Sequence, residues 1–505
     1  MLKYTYLVVV CCGLLACEKP AIQIEEGKSR TIYPDMIGLN GNLTSMDQPW
    51  NHDGFVSAVE SIGTTNFRYP AGTLGNYWDW DKGWLDASVP DSAMIKWVVE
   101  NNIHTSDYRY TLENLAEGYR KTGFTPVFML NMLSKDLAHS VRNLLRARDL
   151  GLPVKYIELG NELYFNLPYE MSVYPTPEDY GKTCQVWIDS LKVHFPEAKY
   201  ALLGGYIKRR PRHTNWTQRA LKYCTNADAI TFHKYSPAGI DGRIEQKDIT
   251  AGTEGTADLS TVTRTPPSGG LAAIQEWEVG LLQNDSTYAN FLATARDAAL
   301  YYQKINAPEG MEIWVTEFNM RDDMSGLRGT WANAFYDAKY YEVFMNSPVT
   351  ITNIHNVIGS KFAQIFSSSD LMDFIKWKEV EAKPWALSSQ GIATAAFAKA
   401  TAGMTTSTKL EFSDDQELVN DLGATINTLA GWKFSTPDSA KLLLINYGRT
   451  PQTVRWDHLE DFSSALSYSA PAEAYITDGF ADLLIEESLV GSSLILPPFS
   501  FTLVK

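Results

Sequence analysis

Residues 154–162 read V-K-Y-I-E-L-G-N-E, and residues 312–318 read E-I-W-V-T-E-F. Each is a short apolar run, rich in β-branched and aromatic residues, that closes on a carboxylate: Glu162 in the first, Glu317 in the second. Such runs predict buried strands, and a carboxylate at the C-terminal end of a strand comes to the rim of the sheet. Two carboxylates facing each other across a barrel mouth supply a general acid/base and a nucleophile, the groups that cut a glycosidic bond.

Working outward from these two runs, six more share the pattern. They are 36–42 (M-I-G-L-N-G-N), 65–70 (T-N-F-R-Y-P), 126–131 (P-V-F-M-L-N), 201–205 (A-L-L-G-G), 229–235 (A-I-T-F-H-K-Y) and 352–357 (T-N-I-H-N-V). Amphipathic segments such as 110–121 and 178–195 lie between them, which predicts parallel strands with helices outside. Eight such units closing on themselves make a (β/α)₈ TIM barrel, an α/β fold whose sites lie at the C-terminal strand ends. Polar or aromatic side chains gather at those ends: Asn42, Arg68, Asn131, Glu162, His233, Tyr235, Glu317 and His355. The barrel is expected over 34–400. Beyond it, 401–505 carries short alternating runs such as K-L-L-L-I-N-Y and F-S-F-T-L-V, which predict a β-sandwich, with 20–33 supplying further strands. The Gly-, Thr-, Ser- and Pro-rich stretch 236–272 reads as a long loop on the catalytic face.

The chain has 505 residues, long enough for two domains. Its 44 basic residues against 59 acidic ones leave a net charge of −15, with no basic block to offset it, so nucleic acid is not an expected partner. No H-E-x-x-H, C-x-x-C pair or P-loop is present, so no metal or cofactor is expected; a Ser–His–Asp site stays open in sequence, but no G-x-S-x-G elbow points to one. The start, M-L-K-Y-T-Y-L-V-V-V-C-C-G-L-L-A-C, has one lysine before a short apolar stretch that runs into small residues. That is an export signal too short to span a bilayer. L-L-A-C resembles the lipobox of bacterial lipoproteins, which implies a signal segment over 1–17 whose cleavage leaves a lipidated Cys17 as the new N-terminus, and an exported protein tethered to a membrane. An ordinary signal peptide is the alternative. Cys184 and Cys224 lie in amphipathic stretches, either paired or as buried thiols.

N-E on the fourth strand and E on the seventh resemble clan A of the glycoside hydrolases. F-R-Y-P-A-G-T-L-G-N-Y-W-D-W (67–80) is similar to the R-Y-P-G-G stretch of the α-L-arabinofuranosidases, with Ala71 in place of the first glycine. G-L-N-G-N and the split sandwich are similar to those enzymes and to the heparanase/β-glucuronidase group. The resemblance implies a retaining hydrolase acting on carbohydrate. Glu162 would be the acid/base, Glu317 the nucleophile, Tyr235 its hydrogen-bond donor and Asn161 the holder of the sugar 2-hydroxyl. Arg68 is expected to keep Glu317 ionised, with a rim ion pair as the alternative. Asn131, His233 and His355 are candidate sugar contacts, and Trp78 with Tyr77 and Trp80 forms either a sugar platform or a packed lid. Arabinofuranoside is the leading substrate, and another clan A activity, a glucuronidase-like exo-enzyme or an endo-glycanase, comes second. A surface glycan-binding lipoprotein without catalysis is the reading from a different class.

Overall fold

The computed structural model describes residues 21–505 except 45, 87–106, 206–210, 241–264, 322–323, 360–361, 368–371, 458, 460–461 and 489–490. Eight parallel strands close into a barrel in chain order: β1 Ile37–Asn40, β2 Asn66–Tyr69, β3 Thr125–Met129, β4 Tyr156–Glu158, β5 Lys199–Leu203, β6 Ala229–Ser236, β7 Glu312–Met320 and β8 Val349–Ile354. Outward side chains such as Leu39, Phe67, Ile157, Ile230 and Val315 share one continuous apolar core with the surrounding helices. Val127, Tyr156, Ala201, Ala229, Trp314 and Ile351 fill the lower end of the barrel interior. The helices are fixed locally as well. Leu112–Thr122, for example, starts on a capping box between Thr111 and Asn114 and stops at Gly123, whose φ of 76° suits the left-handed turn there.

Most strands lie within a residue or two of the expected runs, and two differ by more. β8 begins three residues before the expected run, because polar Thr350 reaches the lower rim and donates to Glu312 at 3.0 Å. β4 ends at Glu158, four residues short of Glu162, because Gly160 turns the chain at φ 91°. Most of the long stretch 236–272 lies outside the described residues, and its end enters the helix Gly270–Leu281.

Nine strands form the second unit, in the order Leu484–Ser488, Ala465–Ser469, Ser500–Val504, Ser439–Asn446, Leu429–Thr436, Thr406–Phe412, Ile22–Thr31, Gln452–Arg455 and Ser493–Leu496. The N-terminal strand pairs antiparallel with Thr406–Phe412 and parallel with Gln452–Arg455. Leu443 and Ile445 face the barrel's core. Leu442 and Leu444 face a separate core with Ile22, Val454, Leu494 and Leu496, so the sheet curls over its own apolar face. Phe335 stacks on Phe501 at 5.0 Å, and the Trp331 indole donates to the Phe499 carbonyl at 2.7 Å, which ties this unit to the barrel. Cys184 and Cys224 are buried free thiols. Among the described residues no helix is long and apolar enough to cross a membrane. The leader and Cys17 lie outside those residues.

Candidate active site

Side chains at the upper end of β7 break the two-residue alternation of a strand. Trp314 faces the interior, Val315 and Phe318 face the helices, and both Thr316 and Glu317 turn inward. Register shifts between Trp314 and Glu317 against β6, and between Val315 and Phe318 against β8, mark the bulge responsible. A bulge re-aims side chains in this way, and here it brings a hydroxyl and a carboxylate to one mouth. β6 keeps its alternation and sends His233 and Tyr235 inward, while Lys234 lies over the Tyr301 ring.

Arg68 is the hub. It donates through Nε to Glu158 Oε2 at 2.6 Å and through Nη1 to Glu317 Oε1 at 2.8 Å. Through Nη2 it donates to Glu158 Oε1 at 3.0 Å and to Asn161 Oδ1 at 2.7 Å. The Tyr235 hydroxyl donates to Glu317 Oε2 at 2.7 Å. The Thr316 hydroxyl donates to Glu158 Oε1 at 3.0 Å, so its lone pair accepts from His233 Nε2–H at 2.8 Å. His233 Nδ1 then meets Glu162 Oε1 at 2.9 Å, and the Tyr164 hydroxyl donates to the same oxygen at 3.2 Å. One oxygen of Glu162, one of Glu317 and a ring nitrogen of His233 all lie within 4.8 Å of one another.

Charge assigns the protons. Burial opposes ionisation at Glu317, but His233, Arg68 and His355 together with the Tyr235 hydrogen bond outweigh it and hold the carboxyl well below its usual range. Glu158, buried against Arg68 and His233, is likewise held ionised. Burial alone would lower His233, yet Glu317, Glu158 and Glu162 push it up to about 9. Arg68 and His233 therefore balance Glu158 and Glu317, and no counter-charge remains for Glu162. Burial raises that carboxyl, the charge of Glu317 adds to the effect, and the His233 contact only partly opposes it. Two donors converge on its Oε1, so the proton belongs on Oε2. A buried acid that is neutral beside a buried carboxylate that is ionised is the division of labour that general acid and nucleophile require. Both ring nitrogens of His233 in this triangle are already engaged, by Thr316 and by Glu162. A second triangle, Asp79, Asp81 and His139, already holds the ammonium of Lys135 and the guanidinium of Arg142.

The structure brings Glu162, Glu317, Asn161, Arg68, Tyr235, His233 and His355 to one mouth. The His355 ring stands edge-on to Tyr235 at 6.0 Å and to Phe362 at 5.8 Å. Trp78 and Asn131 do not join them as surface contacts. Trp78 is buried against Trp84 and Tyr110, with Tyr77 and Trp80 equally covered, so this loop is a packed wall rather than an open platform. Asn131 uses its amide within the loops: it donates to the Trp78 carbonyl and the Ser134 hydroxyl, and it accepts from the amides of Leu133 and Ser134.

Glu158, Thr316, Asn76, Gly72 and Asn40 escaped the sequence reading. A charged residue inside an apolar strand must be paired, and this was the available signal for Glu158. Asn76 clamps the backbone of Asn161, donating to its carbonyl at 2.6 Å and accepting from its amide at 3.1 Å. A Cβ on Gly72 would stand 2.2 Å from Glu317 Oε1, so only glycine fits there. On β1, Leu39 faces the helices, which turns Asn40 inward at the level of its register partner Arg68. Asn40 is fully buried, and neither atom of its amide finds a hydrogen-bond partner among the described residues.

No protein-family model matches the sequence, and no curated protein matches it. Solved structures do. A family 51 α-L-arabinofuranosidase from Bifidobacterium longum superposes with a TM-score of 0.65 at 13% identity, over 96% of this chain and 99% of that one. A 4-O-α-L-rhamnosyl-β-D-glucuronidase from Fusarium oxysporum gives 0.54 at 14% identity, over 96% and 100%. A family 44 endoglucanase from Clostridium thermocellum gives 0.55 at 10%, over 96% and 99%. All three are glycoside hydrolases that differ in the bond they cut, and what this chain shares with them along nearly its whole length is their fold: the closed (β/α)₈ barrel with an appended β-sandwich.

Proposed function

We propose that this protein is a retaining glycoside hydrolase. The observation that carries the reading is the pair Glu162 and Glu317, with oxygens within 4.8 Å of each other and environments that separate their protonation states. Retaining enzymes set their carboxyls about 5–5.5 Å apart. In the first step a Glu317 oxygen attacks the anomeric carbon while Glu162 gives its proton to the departing glycosidic oxygen. The covalent glycosyl-Glu317 ester is then opened by water, whose proton returns to Glu162, and the product keeps the configuration of the substrate. The Asn161 amide nitrogen, buried and without a partner among the described residues, is a donor for the sugar 2-hydroxyl.

Glu162 is only 2% exposed and Glu317 6%, which favours a terminal sugar in a closed pocket over a chain threaded through an open cleft. An α-L-arabinofuranoside is the leading substrate, ahead of a glucuronidase-like or endo-acting role. The export signal and Cys17 add a lipid anchor that tethers the enzyme to a membrane without spanning it. Labelling with an alkynyl fatty acid, lost in Cys17→Ser, tests that part.

The test of activity is sugar release from plant and algal polysaccharides and from aryl glycosides by the soluble chain beginning at residue 18. Glu317→Ala should lose about 10⁴-fold or more in kcat, as removal of a nucleophile does elsewhere, with folding intact. Glu162→Ala should keep turnover of activated aryl glycosides and give a glycosyl azide of retained configuration when azide is added. Release by the Glu317→Ala protein sinks the assignment. Polymer binding by both proteins without release moves the function to glycan capture.

A further inference from the structure

The acid/base does not sit on a strand, so something other than the sheet must fix it. Glu162 lies in the left-handed region at φ 47°, a conformation that a non-glycine side chain adopts only when its surroundings impose it. The three residues that follow, Leu163, Tyr164 and Phe165, turn their carbonyls toward a single group, the guanidinium of Arg212 on the loop after β5. Arg212 Nη2 donates to the Leu163 carbonyl at 2.6 Å, and Nη1 donates to those of Tyr164 at 2.6 Å and Phe165. Nε and Nη2 donate to the Tyr174 carbonyl at 3.0 and 2.8 Å, and Nη2 reaches the Glu170 carbonyl at 3.4 Å. The guanidinium also lies 5.2 Å from the Trp216 ring, which is edge-on to Tyr164, the residue whose hydroxyl touches Glu162 Oε1.

We infer that Arg212 is a positioning residue for the general acid: it gathers the carbonyls on the C-terminal side of Glu162 as Asn76 grips the backbone on the N-terminal side, and so fixes where the proton is delivered. Only a planar fork of five donors serves carbonyls spread over Leu163 to Tyr174, and a lysine ammonium supplies three from one point. The inference rests on the glycosidase reading.

Its test is the dependence on leaving group, which a merely structural role does not move. Wild-type turnover of an activated aryl glycoside, whose leaving group needs no proton, comes first; if that is absent, the glycosidase reading itself fails. With it present, Arg212→Met should lose about 10²-fold in kcat/KM on alkyl glycosides or glycan, the worth of a misplaced general acid, and about threefold or less in kcat/KM on the activated aryl glycoside, whose bond cleavage needs no acid. Arg212→Lys should fall between, and it decides by the same ratio if the Met chain does not fold. Equal losses on both substrate types, or none on either, overturn the role of Arg212 and leave the glycosidase reading standing.

Discussion

Glu312 and Glu317 share one strand and sit at opposite mouths of the same barrel. At the lower mouth every valence of Glu312 is taken by this chain. Tyr33 and Lys199 donate to Oε1, while the Trp314 indole at 3.2 Å and the Thr350 hydroxyl at 3.0 Å donate to Oε2. At the upper mouth Glu317 is also held, by Arg68 and Tyr235, yet its surroundings are left open. Both amide atoms of Asn40, the amide nitrogen of Asn161 and Nδ1 of His355 are buried with no partner among the described residues. Nearly all buried polar groups in folded proteins are paired. Among the described residues, Glu312 is thus satisfied by this chain alone, whereas the upper mouth keeps buried polar atoms that the hydroxyl groups of the proposed sugar would meet.

The sharpest way to break this contrast is to remove the central charge from each network. Arg68→Met leaves His233 alone to balance the buried Glu158 and Glu317, which should cost about 3–5 kcal/mol in urea unfolding, and turnover should vanish with it. An Arg68→Met protein of wild-type stability would mean that the upper network contributes nothing to folding. Glu312→Gln at the lower mouth should cost about 1–3 kcal/mol, because the partners of the carboxylate are left with a poorer acceptor. Its kcat and KM should stay at wild-type values. A change in catalysis there would show that the two ends are coupled and the division is not real.

How much of this was legible in the sequence depends on which physical signal each residue leaves. Strand runs ending in polar groups carried the barrel, because period and end-position are local properties of the chain, and the same end-positions single out Glu162 and Glu317 for the proposed chemistry. Glu158 was written in the same stretch, but a carboxylate four residues before another carries no local mark of its partner, Arg68, ninety residues away. The bulge that turns both Thr316 and Glu317 inward is a mismatch between neighbouring strands and has no trace in either alone. For Trp78 and Asn131 the sequence left the alternatives open for the converse reason: aromatic and amide side chains look alike in sequence whether they meet a sugar or a neighbouring loop. Asn40 stood inside a run that was read, and only its missing partners single it out.

Protonation separates the two mouths further. His233 is raised from 6.5 to about 9 in the folded chain, so its contribution to stability is complete below about pH 6.5 and is lost as pH rises through about 9. Unfolding free energy should therefore fall across that window, and His233→Gln should flatten the decline. A wild-type curve that is flat from pH 6.5 to 9 would mean that His233 is neutral in the fold. Activity should follow the two carboxyls in a bell, with its acid limb below the usual carboxylate range, where Glu317 is protonated, and its alkaline limb above that range, where Glu162 loses its proton.

The smallest change is the most discriminating. Asn40→Leu replaces an unpartnered buried amide by an apolar group of similar size, and a substitution of that kind is close to neutral for stability, within about 1 kcal/mol, or even stabilising. The same substitution should lower kcat/KM about tenfold, because a site built to bond a hydroxyl is penalised when its own polar group is lost. Stability and activity then move in opposite directions, which Glu312 at the lower mouth cannot do, since both its oxygens are already spent on the fold. If Asn40→Leu instead loses stability and keeps its kcat/KM, the amide has a structural partner, and the openness of the upper mouth shrinks to Asn161 and His355.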